Sequence, residues 1–231
     1  MLRDLWCVAW KELMVARRNL KSYATSYIMV LFIWGFVFPA ATVDQVWNGQ
    51  TRAAMLSFCY LAVLLASGQT INAFVGERMQ KTLGTLLSTR LSDAAIYLGK
   101  VAATVITNYA VMLLVLVIHL GVLWYAAMFK LYPSKFPYTA LEFTLMLTLP
   151  IFALVYTSAL GVYISLKSTN IRSQHLLNLF MGLPLMAGFY FVMESPSWSK
   201  LGASLTLFAG VCFIVSYISI QRFNRQRLIL Q

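Results

Sequence analysis

Apolar positions along the chain gather into six long blocks, at about residues 23–43, 53–75, 96–129, 138–166, 175–193 and 201–221, separated by short polar breaks. Each block is close to or longer than the ~20 residues an α-helix needs to cross a bilayer core. The pattern predicts an all-α integral membrane protein with six transmembrane helices. The third block is long enough to tilt or protrude. Pro39 falls near the far end of the first span. Pro150 falls at the middle of the fourth, where the helix is expected to kink or divide. The fifth carries Gly182, Pro184 and Gly188.

Two segments outside these blocks have helical amphipathic spacing. In residues 1–22, Leu2, Leu5, Trp6, Ala9, Leu13, Ala16 and Leu20 recur at i, i+3, i+4. Arg3, Asp4, Lys11 and Arg18 cluster opposite, and Trp6 and Trp10 border the apolar side. This composition predicts a helix lying in the membrane interface; the plainer alternative is a basic leader ahead of the first span. The second segment, residues 76–95, is the one long polar stretch between two spans and is expected to be helical in its own right. Residues 222–231 form a basic tail. The organisation is thus an interfacial helix (1–22), a six-span domain (23–221) and the tail.

Composition narrows the class. Of 231 residues, 60% are hydrophobic and 11% charged, against about 25% charged in a soluble domain. Six spans and short loops consume nearly the whole length and leave no room for a soluble catalytic domain, so no catalytic residues are assigned. The net charge of +11 is dispersed among loops, which argues for topology signals and against nucleic acid. With the N-terminus cytoplasmic, 14 of the 18 Lys and Arg lie inside, and Arg52, Lys130, Lys135 and Lys200 lie outside. Both termini and the 76–95 loop are therefore expected in the cytoplasm. A mixed-charge segment stands first, so no cleavable signal peptide is expected. Cys7, Cys59 and Cys212 lack metal-ligand spacing and read as small apolar residues; no metal and no cofactor is expected on this chain. No Asp, Glu, Lys or Arg falls near a span midplane, which argues against ion-coupled transport. Glu142 and Lys100 sit near span ends, His175 at a boundary. His119 in the third span is more simply a hydrogen-bonded structural residue than a functional one.

The chemistry-bearing pattern is Glu77-Arg78-Met79-Gln80-Lys81-Thr82-Leu83-Gly84-Thr85-Leu86-Leu87, continuing through Thr89, Leu91 and Ser92 to Gly99-Lys100. It resembles the cytoplasmic loop of type-2 ABC exporter permeases, which reads roughly E-R-E-x-G-T-L-E-x-L-L-x-T-P-L-S and then G-K. Met79, Lys81, Gly84 and Arg90 depart from that pattern. Trp10-Lys11-Glu12-Leu13, followed by Arg17-Arg18, resembles the elbow helix that opens many such permeases. The resemblance implies a coupling helix that docks on a separate ABC ATPase subunit through Glu77, Arg78, Thr82, Leu83, Leu86, Leu87 and Arg90. ATP and Mg would belong to that partner. The run from Gly76 to Thr82 echoes a phosphate loop but lacks the second glycine and a preceding strand. Ala66-Ser67-Gly68-Gln69 echoes an ABC signature but lies within a span; both are read as chance. Without the resemblance, the loop reads equally as a plain amphipathic anchor.

Among neutral polar residues, Gln69 and Asn72 on the second span and Asn178 on the fifth would not face lipid. The resemblance implies that spans 1, 2 and 5 line a dimer interface and export path, with these three residues near its inner mouth. The alternative is interhelical hydrogen bonding within one bundle. The resemblance further implies a second permease chain, in a homodimer joined through the first and fifth spans, where small residues at Gly182 and Gly188 allow close helix approach. The implied function is outward movement of a hydrophobic or amphipathic cargo (a drug, lipid-like molecule or peptide) across a bacterial inner membrane. Alternatives are export of a small ion or haem-like cofactor, or a non-transporting membrane scaffold. The loop at 194–200 is shorter than the re-entrant pair many relatives place between spans 5 and 6.

Overall fold

A computed structural model of the chain describes residues 2–18, 20–79, 91–129, 136–167, 171–194 and 197–221. Its helices are α1 (Leu2–Arg18), α2 (Leu20–Phe32), a π-helical turn (Ile33–Val37), α3 (Phe38–Trp47), α4 (Arg52–Met79), α5 (Asp93–Phe129), α6 (Ala140–Lys167), α7 (Ile171–Glu194) and α8 (Trp198–Gln221). No strand occurs among the described residues. Six stretches are long and apolar enough to cross a membrane: one running through α2 and α3, and one each in α4 to α8.

The central pair is α4 and α6. More than half of their apolar windows is buried, 56% and 61%, against 17% for the first and last spans. The chain therefore places its outermost spans on the rim. Helices α5, α7 and α8 pack around the central pair, and α2 to α3 lie along α5. Phe58, Leu61, Leu145, Leu149, Leu154 and Phe189 fill the shared core. Small residues occupy the buried sides of the central helices, Ala54, Ala62 and Ala66 on α4 and Ala153 and Ala159 on α6. In lipid there is little hydrophobic drive between helices, so close approach of small residues and van der Waals packing carry the association. Apolar side chains such as Phe32, Leu114, Phe180 and Phe213 point outward, as lipid-facing surfaces require.

The proline at the middle of the fourth span does not divide it. Helix α6 runs unbroken through the buried Pro150, and α7 through Pro184. A membrane bundle tolerates such prolines because neighbouring helices re-satisfy the freed backbone groups. The irregularity lies instead in the first span, just before Pro39. Proline lacks the N–H that would bond the carbonyl four residues back, and the Phe38 amide donates to the Ile33 carbonyl in a π turn. Gly35 within that turn abuts α5, where a Cβ would meet Ile118 Cγ2 at 3.0 Å.

Local signals set the helix ends. Gly49, at φ +82°, closes α3. Gly49 N donates to Val46 O at 3.1 Å and Gln50 N to Gln45 O at 2.8 Å, the bonding of a Schellman cap. At the start of α6, Thr139 N and Oγ1 donate to Glu142 Oε2 at 2.8 and 2.9 Å, and Glu142 N donates back to Thr139 Oγ1 at 3.3 Å. That is a reciprocal capping box.

Candidate functional site

The amphipathic N-terminal helix docks on the first turns of α5. Glycine at position 99 permits the contact: a Cβ there would lie 2.7 Å from Val8 Cβ and 3.0 Å from the Leu5 carbonyl oxygen. Val8 and Ala9 are buried in the junction. One residue further on, Lys100 Nζ lies 3.3 Å from Glu12 Oε1, and its side chain is 1% exposed against 15% for Glu12. Lys11 Nζ reaches the same oxygen at 3.5 Å. A lysine so fully withdrawn from water is costly unless a carboxylate accompanies it. Packing and charge together thus bind α1 to α5.

The docked face of α1 centres on Val8, Ala9 and Glu12, whereas Trp6, Trp10 and Met14 project away from the bundle. The two indole rings lie 6.2 Å apart on that outer side. Amphipathic spacing found the helix but could not choose between two adjacent apolar edges. Cys7 is exposed on α1, while Cys59 and Cys212 are buried within spans.

The flanks of the polar loop are fixed at both ends. Glu77 and Arg78 fall within the last turn of α4, so the backbone at Glu77 continues the second span and does not start a new helix. The side chains of Glu77 and Arg78 lie outside the described residues, as do Thr82, Leu83, Leu86, Leu87 and Arg90. At the other flank Leu91 and Ser92 are non-helical, and α5 begins at Asp93. The Ala95 amide donates to Ser92 Oγ at 3.3 Å, an N-terminal cap. Residues 93–95, expected in the loop, therefore open the third span.

Further along the spans, polar side chains collect between the helices. The Gln69 amide nitrogen donates to Tyr27 Oη, and its Oε1 accepts from Thr107 Oγ1 at 3.1 Å. One side chain thereby joins α2, α4 and α5. Asn178, fully buried on α7, lies against α6 and α4. A Cβ on Gly161 would come within 2.9 Å of Asn178 Nδ2 and 3.1 Å of Thr70 Cγ2. Among the described residues neither amide atom of Asn178 has a hydrogen-bond partner. From adjacent positions α4 thus presents Gln69 to α2 and α5, and Thr70 to α6 and α7. Gln69 and Asn178 are not brought together, and the Asn72 side chain lies outside the described residues. Sequence reading missed Asn108 on α5, also fully buried, with neither amide atom partnered among the described residues. The signal was present: Asn108 directly follows Thr107 inside an apolar run.

Replacing Gln69 with Leu removes both interhelical bonds. At about 0.6 kcal/mol for each such bond in a bilayer, the variant is expected to lose roughly 1 kcal/mol of stability. Denaturant titration in mixed micelles measures this.

The two histidine readings part ways. His119 is buried in the bundle, with Nε2 2.9 Å from Tyr138 Oη and its ring 5.1 Å from that of Phe58 in an edge-on contact. It is a hydrogen-bonded structural residue. Burial first, and then the nearby Glu142 carboxylate, raise the Tyr138 phenol above its ordinary range, so it stays protonated. The side chain of His175 lies outside the described residues. Among the described residues no group of three His, Cys, Asp or Glu is arranged to hold a metal. No protein-family model matches the chain, and no curated protein sequence is significantly similar to it.

Proposed function

We propose that the chain is the membrane subunit of an ATP-driven exporter of the type-2 ABC class. In this reading both termini and α1 face the cytoplasm, in a bacterial inner membrane, and two copies work with two separate ATPase chains that hold ATP and Mg. The observation that carries the reading is the α1–α5 junction. The segments whose sequences resemble that class, 10–13 and 99–100, meet there through Glu12 on Lys100, beside the packing of Val8 on Gly99. A loop that only anchors two spans has no need of a buried ion pair to an N-terminal helix. A loop that receives force has that need, because motion at residues 80–90 then passes to α1 and the first span together with α5. ATP drives such motion by binding two conformations with different affinity, so the loop must touch the ATPase in at least one of them.

The cargo is hydrophobic or amphipathic, since the spans offer aromatic and methionine side chains and no charge pair near their midplanes. Pairing of two chains rests on the resemblance and no longer on glycines, because Gly182 and Gly188 are used within one chain: a Cβ on them would meet Val63 Cγ1 at 2.8 Å and Phe208 Cε1 at 3.2 Å.

Leu83 and Leu87, at i and i+4, would share one face of a coupling helix and fill a groove on the ATPase. The Leu83→Asp/Leu87→Asp variant is expected to insert and fold normally, lose its ATPase on purification, and lose cargo-dependent ATP hydrolysis. A double variant that keeps the ATPase and transports normally makes the loop a plain anchor.

A further inference from the structure

At the end of the bundle opposite α1, two consecutive residues fasten three spans together. The Schellman cap at Gly49 turns the chain out of α3 and into Thr51, whose carbonyl accepts from the Met55 amide, and Arg52, the first residue of α4. Thr51 Oγ1 donates to Glu142 Oε1 on α6, and Thr51 is 2% exposed. Arg52 Nη2 donates to the carbonyl of Glu194, the last residue of α7, at 2.8 Å. Glu142 is itself fixed: its second oxygen caps α6, and the preceding segment is pinned to α5 by Tyr138 on His119.

The bonds differ in kind from those that hold the rest of the bundle. Among the described residues most hydroxyls bond a carbonyl of their own helix, three or four residues back, as Ser57, Ser67, Thr70 and Thr104 do. Thr51 and Arg52 instead reach across 91 and 142 residues of sequence. Directly beneath them the central seam begins with Ala54 and Met55, each 1% exposed, followed one turn later by Phe58. The alanine leaves room beside the methionine, and the outermost layer over both is the polar cover. Polar cover at a water-facing end is also the kind that opens readily, because water replaces each lost partner, so the net value of such bonds is small.

We propose that Thr51 and Arg52 form a releasable clasp that gates the α4–α6–α7 seam at this end of the bundle. The proposal assigns the external gate of the export path and to that extent rests on the exporter reading. Opening breaks Thr51–Glu142 and Arg52–Glu194 together, while the capping box on Glu142 and the Tyr138–His119 bond stay intact. The hinge then lies at Gln50–Arg52, and α6 keeps its start.

The test uses a full-length chain in native membranes, with the other cysteines replaced and Ala54→Cys as reporter. The probe is a membrane-impermeant maleimide added from outside. In the clasp-free variant Thr51→Val/Arg52→Met, which leaves Glu142 to cap α6, labelling is expected to rise about ten-fold, following the population of the open form. A chain retaining only the buried Cys212 is made with the same two substitutions and must stay unlabelled, which separates gate opening from unfolding. If the Ala54→Cys reporter stays as protected without the clasp as with it, apolar packing closes this end and the proposal fails. ATP with vanadate is then added with the clasp intact. A rise in labelling supports both readings. A rise on removal of the clasp with no response to ATP leaves the clasp standing and contradicts the exporter.

Discussion

Glu12→Ala is expected to destabilise the α1–α5 junction by about 3 kcal/mol, more than any other single change at that end of the bundle. The substitution takes a carboxylate from a lysine whose side chain is 1% exposed. Burial of Lys100 is offset in large part by the Glu12 carboxylate; without it the ammonium keeps less to compensate its desolvation, or pulls α1 aside to reach water. The reciprocal Lys100→Met should cost less, about 1–2 kcal/mol, because the Glu12 carboxylate left behind is 15% exposed and keeps Lys11 at 3.5 Å. The asymmetry is the informative outcome. It follows from burial, and a pair held only by surface attraction would lose equal amounts from either side. Cys7 supplies the measurement, since it is exposed on α1 while Cys59 and Cys212 are buried. A spin label there should become markedly more mobile in Glu12→Ala, and less so in Lys100→Met. Equal mobility in both variants and the parent means that Val8 on Gly99 holds the junction alone.

The second large effect is expected in the bundle core. A Cβ on Gly182 would sit 2.8 Å from Val63 Cγ1, so Gly182→Ala must push α7 off α4 or force Val63, itself 2% exposed, from its rotamer. Overpacking of this kind costs about 1–3 kcal/mol. The Gly182→Ala/Val63→Ala double variant removes the clashing methyls and should recover most of the loss. If it does not, the glycine serves something other than α4–α7 contact. The prediction matters for assembly as well. These glycines bring helices of one chain together, so a contact between two chains must use other faces.

Much of the architecture was readable in the chain because a bilayer imposes a coarse rule: every span must be apolar along most of its length. The six blocks and the N-terminal amphipathic helix follow from that rule. What escaped was set by contacts between segments remote in sequence. Amphipathic spacing gave α1 but not the face that docks, because that choice is made by Gly99 on a helix remote in sequence. Pro150 does not divide α6, and a π turn stands one turn before Pro39; a proline's effect depends on which carbonyl it fails to serve and what lies beside it. The T-x-x-E of the Thr139–Glu142 cap was legible but went unread. Gln69 was singled out correctly as a residue that avoids lipid, yet its partners Tyr27 and Thr107 lie 42 and 38 positions away and no local pattern names them. Asn178 was likewise found as a polar residue in a span. That it would stack over Gly161 depends on two helices whose register is fixed only in the folded bundle.

Under the proposed function this chain passes the work of a separate ATPase across a membrane. The most direct test is purification of the tagged, full-length chain from its own membranes, followed by native mass measurement and ATP hydrolysis. The account predicts two copies of the chain with two copies of a soluble polypeptide bearing a phosphate loop and an ABC signature. It also predicts ATP hydrolysis that falls when Leu83→Asp/Leu87→Asp strips that polypeptide away. A chain that purifies free of any such polypeptide, or with one whose hydrolysis does not change in the variant, contradicts it.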